Sequence, residues 1–369
     1  MSPSAIPSAG ESLTAPAQDA QSVTWGDPGR AAAFHHWFSS MQAEHGLLAA
    51  SLRPASADAS FRRYFRVDHS GGSRVIMDAP PTREDCGAFE RVARLMAAAG
   101  LNVPRVLAWD TSNGFMLLSD LGDRTMMQAL LPEQPQANLE LHMRAVDALI
   151  AWQLASTPDV LPPCNEALLS SEMELFPQWY LAKHRAATPD AEQRRVLDRT
   201  FQTIMHENLS WPSVYVHADF MPRNLMLPEH GETRLGVLDF QDAVYGPITY
   251  DIASLMRDAF LSWDEDFVLD VTIRYWEKAR AAGLPVGSDF GAFYRGVEWM
   301  GLQRHLRVAG IFARLTLRDG KPRYLADTPR FIQYIRATSA RYRELKPLLR
   351  LIDKVEGVQD VAAYSFGRV

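Results

Sequence analysis

The most chemically suggestive residues of this chain are three oxygen-bearing side chains that lie close together in the sequence. Asp219 and Asn224 stand five residues apart in VHADFMPRNLML, residues 216–227, and Asp239 follows in LDFQD, residues 238–242. Phosphoryl transfer needs a carboxylate that orients the attacking hydroxyl and oxygen ligands that hold Mg²⁺ against a triphosphate. The three side chains could fill both roles, so the pattern favours a kinase that uses ATP and Mg²⁺. An Asp and an Asn in a loop are also common in turns, but a turn does not require all three residues.

The order of these residues is similar to two signatures of protein kinases. The H-x-D-x-x-x-x-N pattern of residues 217–224 resembles the kinase catalytic loop, and the tripeptide LDF at 238–240 resembles the D-F-G metal site. On these motifs the chain resembles the aminoglycoside phosphotransferase and choline kinase family, whose members are relatives of protein kinases. The resemblance implies the following roles: catalytic base for Asp219, Mg²⁺ ligands for Asn224 and Asp239, and a structural role within the loop for His217.

The residues that would bind the nucleotide depart from the family pattern. Residues 58–66, DASFRRYFR, stand where the family has its phosphate-covering loop, but they lack the glycines that bring backbone amides onto phosphates. The lysine of the third strand is missing from VIMDA, residues 75–79. In place of the missing glycines, Arg62 and Arg63 could reach the β- and γ-phosphate oxygens as bidentate donors, although an exposed position on an edge strand is the alternative for Arg63. The other predicted nucleotide-binding residues are Glu90, which would pair with one of these arginines or face water, and Met116, Ser119 and Leu121 at the hinge.

Three further segments carry the expectation about the substrate: LDFQDAVYGPITYDIASLMRDAF at 238–260, QRHLRVAGIFARL at 303–315 and RDGKPRYL at 318–325. They resemble the bacterial amino-sugar kinases of this family. The resemblance implies phosphorylation of N-acetylmuramate and N-acetylglucosamine at C1, to the α-1-phosphate, in peptidoglycan recycling. A planar arginine suits the N-acetylmuramate carboxylate, whereas a polycationic aminoglycoside requires an acidic cleft. The predicted substrate-binding residues are Asp242, Tyr245, Arg257, Arg304 and Arg307, and for each a surface, core or salt-bridged position is the alternative.

Three other functions fit parts of the same pattern. Another kinase of the family, acting on an aminoglycoside, choline or homoserine, would share the catalytic residues and differ only in the pocket. A nucleotide-binding pseudokinase that serves as a scaffold would explain the missing lysine and glycines, but it would not need Asp219, Asn224 and Asp239 together. A regulatory protein kinase is disfavoured because no A-P-E-like segment follows Asp239.

These residues need two different scaffolds to position them. Residues 31–122 contain a lead-in helix, a hairpin of two strands, a helix that ends at Gly100 and two more strands, so we predict a nucleotide-binding N-lobe built on a small antiparallel sheet. Residues 123–369 have mainly helical periodicity and predict a larger C-lobe that carries the catalytic loop and the sugar pocket. Residues 1–30, rich in Ser, Ala, Pro and Gly, predict a disordered tail. The predicted fold is therefore α+β, two-lobed and protein-kinase-like.

The composition narrows the range of partners. With 369 residues, 47% of them hydrophobic, the chain is large enough for two cores, and a net charge of -6 without a Lys/Arg block argues against nucleic acid. Its two cysteines argue against a zinc module or a disulfide framework and are typical of a reducing cytoplasm. Neither a signal-peptide pattern nor an apolar run of membrane-spanning length occurs, so we expect a cytoplasmic protein with a small-molecule partner and no membrane contact. The oligomeric state has no signature in the sequence.

Overall fold

A computed structural model of the chain describes residues 23–57, 62–229 and 231–358. The predicted tail lies outside the described residues as far as residue 22. Positions 58–61 of the predicted phosphate-covering loop also lie outside them.

The chain divides into two compact units that interleave in sequence. The first unit takes the residues up to Cys86 together with Val106–Asp120. The second takes Gly87–Arg105 together with the residues from Leu121 onward. The sequence analysis instead assigns all of residues 31–122 to one lobe, and that assignment stays a prediction.

The first unit contains a five-stranded antiparallel sheet with the strand order β1-β2-β3-β5-β4. The predicted hairpin is β2–β3, in which Phe65 pairs with Ile76. Strand β1 was not predicted, because its sequence RPASA has a proline and no β-branched residue, a composition that an edge strand tolerates. The bounds are α1 Pro28–His45, β1 Arg53–Ala57, β2 Arg63–His69, β3 Gly72–Asp78, β4 Val106–Asp110 and β5 Phe115–Ser119.

Helix α1 begins earlier than the sequence predicts. The side chain of Asp27 accepts the Gly29 N–H at 2.8 Å and caps the helix, and a proline occupies the first turn. The helix ends at Gly46, whose φ of 63° is left-handed. Its buried face forms an aromatic core with the sheet through Phe34, Trp37, Phe38, Phe65 and Phe115.

The second unit is mainly helical and contains two short antiparallel strand pairs. Strand β6 (Ser213–Val216) pairs with β9 (Val244–Pro247), and β7 (Leu225–Met226) pairs with β8 (Gly236–Val237). None of the helices in the described part of the chain is long and apolar enough to cross a bilayer. The helices beyond α1 are α2 Cys86–Ala98, α3 Met126–Ala129, α4 Leu139–Leu154, α5 Glu166–Met173, α6 Ala191–Leu209, α7 Thr249–Met256, α8 Glu265–Ala281, α9 Phe290–Leu317, α10 Thr328–Arg341 and α11 Lys346–Glu356, with a π-helical stretch at Phe176–His184.

Helix α9 is the central element of this unit. It has 28 residues, and it packs in one apolar core with α6, α10 and the π-helical stretch. Glycine lets it approach a neighbouring backbone at Gly310, where a Cβ atom would stand 2.4 Å from the carbonyl carbon of Leu175. The close approach therefore depends on the missing side chain.

We expect Gly310→Ala to destabilise the protein although alanine is the better helix former. The new methyl group would overlap backbone atoms of Leu175, which cannot rotate away, and overpacking of this kind costs about 1–3 kcal/mol. Urea unfolding measures the loss, with Gly26→Ala as the control because nothing lies within 4 Å of its added Cβ. Equal free energies of unfolding for the two variants would contradict the packing described for α9.

Candidate active site

The predicted catalytic loop lies between β6 and β7 and meets the end of β8. The pairing of Leu225 with Val237 sets these strands side by side, so that Asn224 and Asp239 flank the same ladder. The Asn224 Nδ2 atom donates to the Asp219 carbonyl at 2.9 Å and to Asp239 Oδ2 at 3.4 Å. The structure thus brings the three predicted residues together in one place.

Two residues of the site have left-handed backbone conformations that non-glycine residues rarely adopt. The φ angle is 76° at Ala218 and 62° at Asp239. Each such residue costs on the order of 1–3 kcal/mol unless its surroundings impose the conformation. The contacts that hold them are therefore part of the site.

Asp251, on α7, holds the catalytic loop at Ala218. Its buried carboxylate accepts the backbone N–H groups of His217 and Ala218 at 2.7 and 3.1 Å. Burial raises the pKa of Asp251 to about 6, while these hydrogen bonds act against the rise. Asp251 was not predicted from the sequence, where the available signal was a single acidic residue in the otherwise uncharged segment TYDIASLM at 249–256.

His217 connects the catalytic loop to the segment that carries Asp239. Its Nδ1 atom accepts the Asp219 N–H at 3.2 Å, and its Nε2 atom lies 2.9 Å from the Leu238 carbonyl. A carbonyl can only accept, so these partners assign the proton to Nε2. Burial lowers the pKa of His217, which favours this neutral form. The contacts fit the structural role predicted for the residue.

Arg304, on α9, contacts both the backbone and the carboxylate of the loop. One Nη atom donates to the Ala218 carbonyl, and the other donates to Asp219 Oδ1 at 3.3 Å. The Arg304 side chain is 5% exposed and that of Asp219 is 34% exposed, so the carboxylate keeps an open edge. Burial is the largest influence on Asp219 and raises its pKa, but the charges of Arg307 and Arg304 outweigh it and leave the pKa below its usual value. Asp219 is therefore ionised at neutral pH and can accept a hydrogen bond from a hydroxyl.

The three arginines predicted to bind substrate have internal partners instead. Arg257 donates to Glu298 Oε1 at 3.0 Å, and Arg307 lies 3.3 Å from Glu172 Oε1. Their side chains are 9% and 19% exposed. A guanidinium that is enclosed with a carboxylate would have to give up that partner to bind another anion. Together with the contacts of Arg304, these pairs give the predicted substrate contacts no support.

The other two predicted substrate residues lie on the segment that follows Asp239. Asp242 is exposed, and the Gln241 amide nitrogen donates both to Asp242 Oδ2 at 3.3 Å and to Asp239 Oδ1 at 3.1 Å. Tyr245 pairs with Tyr215 across the β6–β9 ladder and, with Gln241, lines a cavity of about 430 Å³. Both residues are near the site in sequence, and their contact with a substrate stays a prediction.

The two adjacent arginines of the first unit have different partners. Arg62 forms an ion pair with Glu84 at 3.1 Å. Arg63 donates from Nε to Asp78 Oδ2 at 2.8 Å, and Asp78 is fully buried and also accepts from Arg30. Asp78 lies in VIMDA, the segment in which the expected lysine is missing. Arg63 is therefore part of a structural cluster, and its predicted contact with phosphate gains no support from this geometry.

The remaining predicted nucleotide-binding residues occupy ordinary structural positions. Glu90 lies 3.8 Å from Arg94, one helical turn away, so its described ion pair is local. Met116 is fully buried in β5, and Ser119 is the last residue of that strand. Leu121 follows the strand as the first residue after the unit boundary. Their contacts with a nucleotide stay predictions.

The oxygen atoms of Asn224 and Asp239 are suited to a magnesium ion. Mg²⁺ takes oxygen ligands, and in nucleotide enzymes one or two side chains hold it together with phosphate oxygens and water. Because the Asn224 amide nitrogen faces the Asp219 carbonyl, its amide oxygen can face a cation. Among the described residues no group of three or more His, Cys, Asp or Glu side chains could hold a metal ion. A metal here would need ligands from the nucleotide.

Two further charged residues near the loop were not singled out from the sequence, because neither belongs to the family motif. Asp258 is buried. Its Oδ1 atom accepts the Phe260 N–H at 3.1 Å, whereas its Oδ2 atom has no hydrogen-bond partner among the residues that the structure describes. Burial raises the pKa of Asp258 from 3.8 to about 6. Arg223, next to Asn224, is exposed and stacks on the Phe260 ring.

We expect Asp219 and Arg304 to be energetically coupled. Arg304→Gln would leave the carboxylate without its nearest cation, and Asp219→Asn would leave an enclosed guanidinium less compensated. The double variant should therefore lose about 1–3 kcal/mol less free energy of unfolding than the sum of the two single variants. Urea unfolding measures this coupling. The exposed pair Asp270 and Arg274, 2.7 Å apart on α8, is the control and should couple by less than about 0.5 kcal/mol. Additive losses at Asp219 and Arg304 would show that the contact has no energetic weight.

The raised pKa of Asp258 predicts a stability difference that depends on pH. The pKa of Asp258 is about 6 in the folded state and 3.8 in the unfolded chain. The ionised carboxyl therefore destabilises the fold above pH 6, and this penalty disappears as the pH falls to 3.8. Asp258→Asn removes the charge. Relative to the unsubstituted protein, the variant should gain on the order of 2–3 kcal/mol as the pH rises from about 4 to about 8. Urea unfolding across this pH range measures the gain, and a difference that is constant with pH would contradict the assignment.

The chain is similar in sequence to a known enzyme family and to two named bacterial kinases. Residues 51–286 match the phosphotransferase enzyme family. A Neisseria meningitidis protein named N-acetylmuramate/N-acetylglucosamine kinase is 50% identical over 309 residues, which are 83% of this chain and 91% of the relative. A protein of the same name from Pseudomonas aeruginosa is 50% identical over 303 residues, 82% of this chain and 88% of the relative.

Solved structures show the same fold. A choline/ethanolamine kinase family protein from Mesorhizobium loti has a TM-score of 0.55 at 17% identity, covering 82% of this chain and 92% of the other. A variant of aminoglycoside phosphotransferase APH(4)-Ia in a ternary complex with AMP-PNP and hygromycin B has a TM-score of 0.52 at 18% identity, covering 81% and 97%. The predicted kinase-like α+β fold is confirmed by these likenesses. From the family match and from relatives that are half identical over most of its length, we conclude that this chain belongs to the phosphotransferase enzyme family.

Proposed function

We propose that this protein is a cytoplasmic kinase that transfers the γ-phosphoryl group of ATP to the anomeric hydroxyl of N-acetylmuramate and N-acetylglucosamine. The products would be the α-1-phosphates, formed during peptidoglycan recycling. The observation that carries the proposal is the convergence of Asp219, Asn224 and Asp239 in a chain whose 50% identical relatives are named N-acetylmuramate/N-acetylglucosamine kinase. Likeness of fold alone would not select a substrate.

Asp219 would act on the sugar hydroxyl. Its ionised and partly exposed carboxylate can accept the hydrogen bond of the anomeric hydroxyl through Oδ2 while Oδ1 stays on Arg304. Because the transition state of phosphoryl transfer is loose, aligning the hydroxyl contributes more than removing its proton. A carboxylate with a lowered pKa is a weak base and suits that task. As the sugar oxygen bonds to the γ-phosphorus, the bond from that phosphorus to the β–γ bridging oxygen breaks, ADP leaves, and the proton of the hydroxyl passes to Asp219.

Asn224 and Asp239 would hold Mg²⁺ through their side-chain oxygens. The bound ion would supply positive charge that offsets the negative charge of the triphosphate oxygens. The hydrogen bond from Asn224 to the Asp219 carbonyl keeps the metal ligand and the base in a fixed relation. A loop that positions one therefore positions the other.

On the nucleotide side we favour Arg62 over Arg63 as the phosphate ligand. A kinase lysine is oriented by a glutamate of the following helix, and Arg62 is oriented in a similar way by Glu84, just before α2. Arg63 is instead held by the buried Asp78. Met116, Ser119 and Leu121 would border the adenine, whose polar edge would pair with backbone groups.

The test is ATP consumption with N-acetylmuramate, N-acetylglucosamine, choline and kanamycin in turn. We expect turnover with the two amino sugars only. Asp219→Asn should lower kcat about 10²–10⁴-fold, because the residue aligns the hydroxyl and accepts its proton. Its affinity for AMP-PNP, measured by calorimetry, should change little because Asp219 does not touch the nucleotide.

The surface variant Asp270→Asn is the control for kcat. Turnover with choline or kanamycin in place of the amino sugars would reject the substrate. An equal loss of AMP-PNP affinity in Asp219→Asn would reject the role given to Asp219.

A further inference from the structure

One arginine of the catalytic loop differs from the other arginines near the site. Arg257, Arg304 and Arg307 are enclosed and bound to internal partners. Arg223 is exposed, and among the described residues its guanidinium has neither a hydrogen bond nor an ion pair. The guanidinium contacts the Phe260 ring, whose centroid lies 4.6 Å from the guanidinium carbon. Arg223 can therefore offer its N–H groups to an anion from solution.

The base of the Arg223 side chain is fixed although its head is exposed. The residue lies in the 3₁₀ turn Pro222–Asn224, in which both of its neighbours are buried. The side chain of Asn224 in turn donates to the Asp219 carbonyl at 2.9 Å. The guanidinium is thus attached one residue from a proposed metal ligand and four residues from the proposed base.

The surroundings leave the hydrogen-bonding edge of Arg223 available. The contact with the Phe260 ring restricts the motion of the guanidinium, whose N–H donors lie in its own plane. The positive charge of Arg223 acts to lower the pKa of Asp258, which is buried and accepts the Phe260 N–H. No ion pair joins Arg223 to Asp258 in the described part of the chain. An exposed planar fork of this kind is suited to a carboxylate.

We infer that Arg223 binds the carboxylate of N-acetylmuramate and so sets the preference between the two amino sugars. This inference rests on the proposed function. N-acetylmuramate is N-acetylglucosamine with a lactyl ether on O3, so the two substrates differ by one carboxylate group and its short linker. The lactyl ether is on C3, two ring carbons from the anomeric C1, and Arg223 stands four residues from Asp219 in the same loop. Arg257, Arg304 and Arg307 are already paired with internal carboxylates and are not needed to bind the lactyl carboxylate.

The test compares kcat/KM for the two sugars. Arg223→Gln should lower the value for N-acetylmuramate, relative to that for N-acetylglucosamine, about ten- to a hundredfold, the loss expected for a charge-assisted bidentate contact. Arg223→Lys should fall between, because lysine keeps the charge and loses the fork. Arg280→Gln is the matched control, since Arg280 is also exposed and stacks on an aromatic ring, that of Trp276, at 5.2 Å.

The outcomes separate this inference from the proposed function. An equal change of kcat/KM for both sugars, or a raised KM for ATP alone, would overturn the role of Arg223 and leave the kinase assignment standing. If the unsubstituted protein turns over neither sugar, the proposed function fails. In that case, calorimetry of N-acetylmuramate binding in the presence of AMP-PNP tests the contact with Arg223. A ten- to hundredfold weaker binding by Arg223→Gln supports the contact, and unaltered or absent binding overturns it.

Discussion

The two hydrogen bonds that Asp251 accepts from the catalytic loop are the constraint on which the rest of the site depends. They hold the N–H groups of His217 and Ala218, and Ala218 has a left-handed conformation that the chain would not keep unaided. With the loop held in this way, the His217 ring reaches the Leu238 carbonyl and the Asn224 amide reaches the next loop. One buried carboxylate on α7 therefore helps to determine where the proposed base and both candidate metal ligands lie.

The charges of the site follow from that anchoring. Arg304 and Arg307 keep Asp219 ionised although burial opposes its charge. Enclosed ion pairs cost desolvation free energy and often add less stability than apolar residues of the same size. Arg304 and Arg307 lie on α9, a 28-residue helix within the core, and so give Asp219 a rigid support. The charges are thus better explained by orientation of Asp219 than by stability.

The parts of the site that are local in the chain could be predicted from the sequence, and the parts chosen by tertiary packing could not. The spacing in residues 217–224, with Asp239 beyond, predicts one site because a strand, a loop and a strand position these residues within a short stretch. Arg304 and Arg63 could equally be exposed cations in the sequence, and only the fold shows that each faces a carboxylate. Asp251 was not predicted for the same reason, since its partners are backbone groups remote in sequence.

The central claim is that this site delivers a phosphoryl group to the anomeric oxygen of an amino sugar. Phosphorus NMR of the product formed from ATP, Mg²⁺ and N-acetylglucosamine tests it directly, because phosphorus couples to the anomeric hydrogen only when the phosphate is on C1. We expect an α-1-phosphate whose phosphorus signal shows that coupling. A phosphate on another hydroxyl, or no phosphorylated sugar at all, would contradict it.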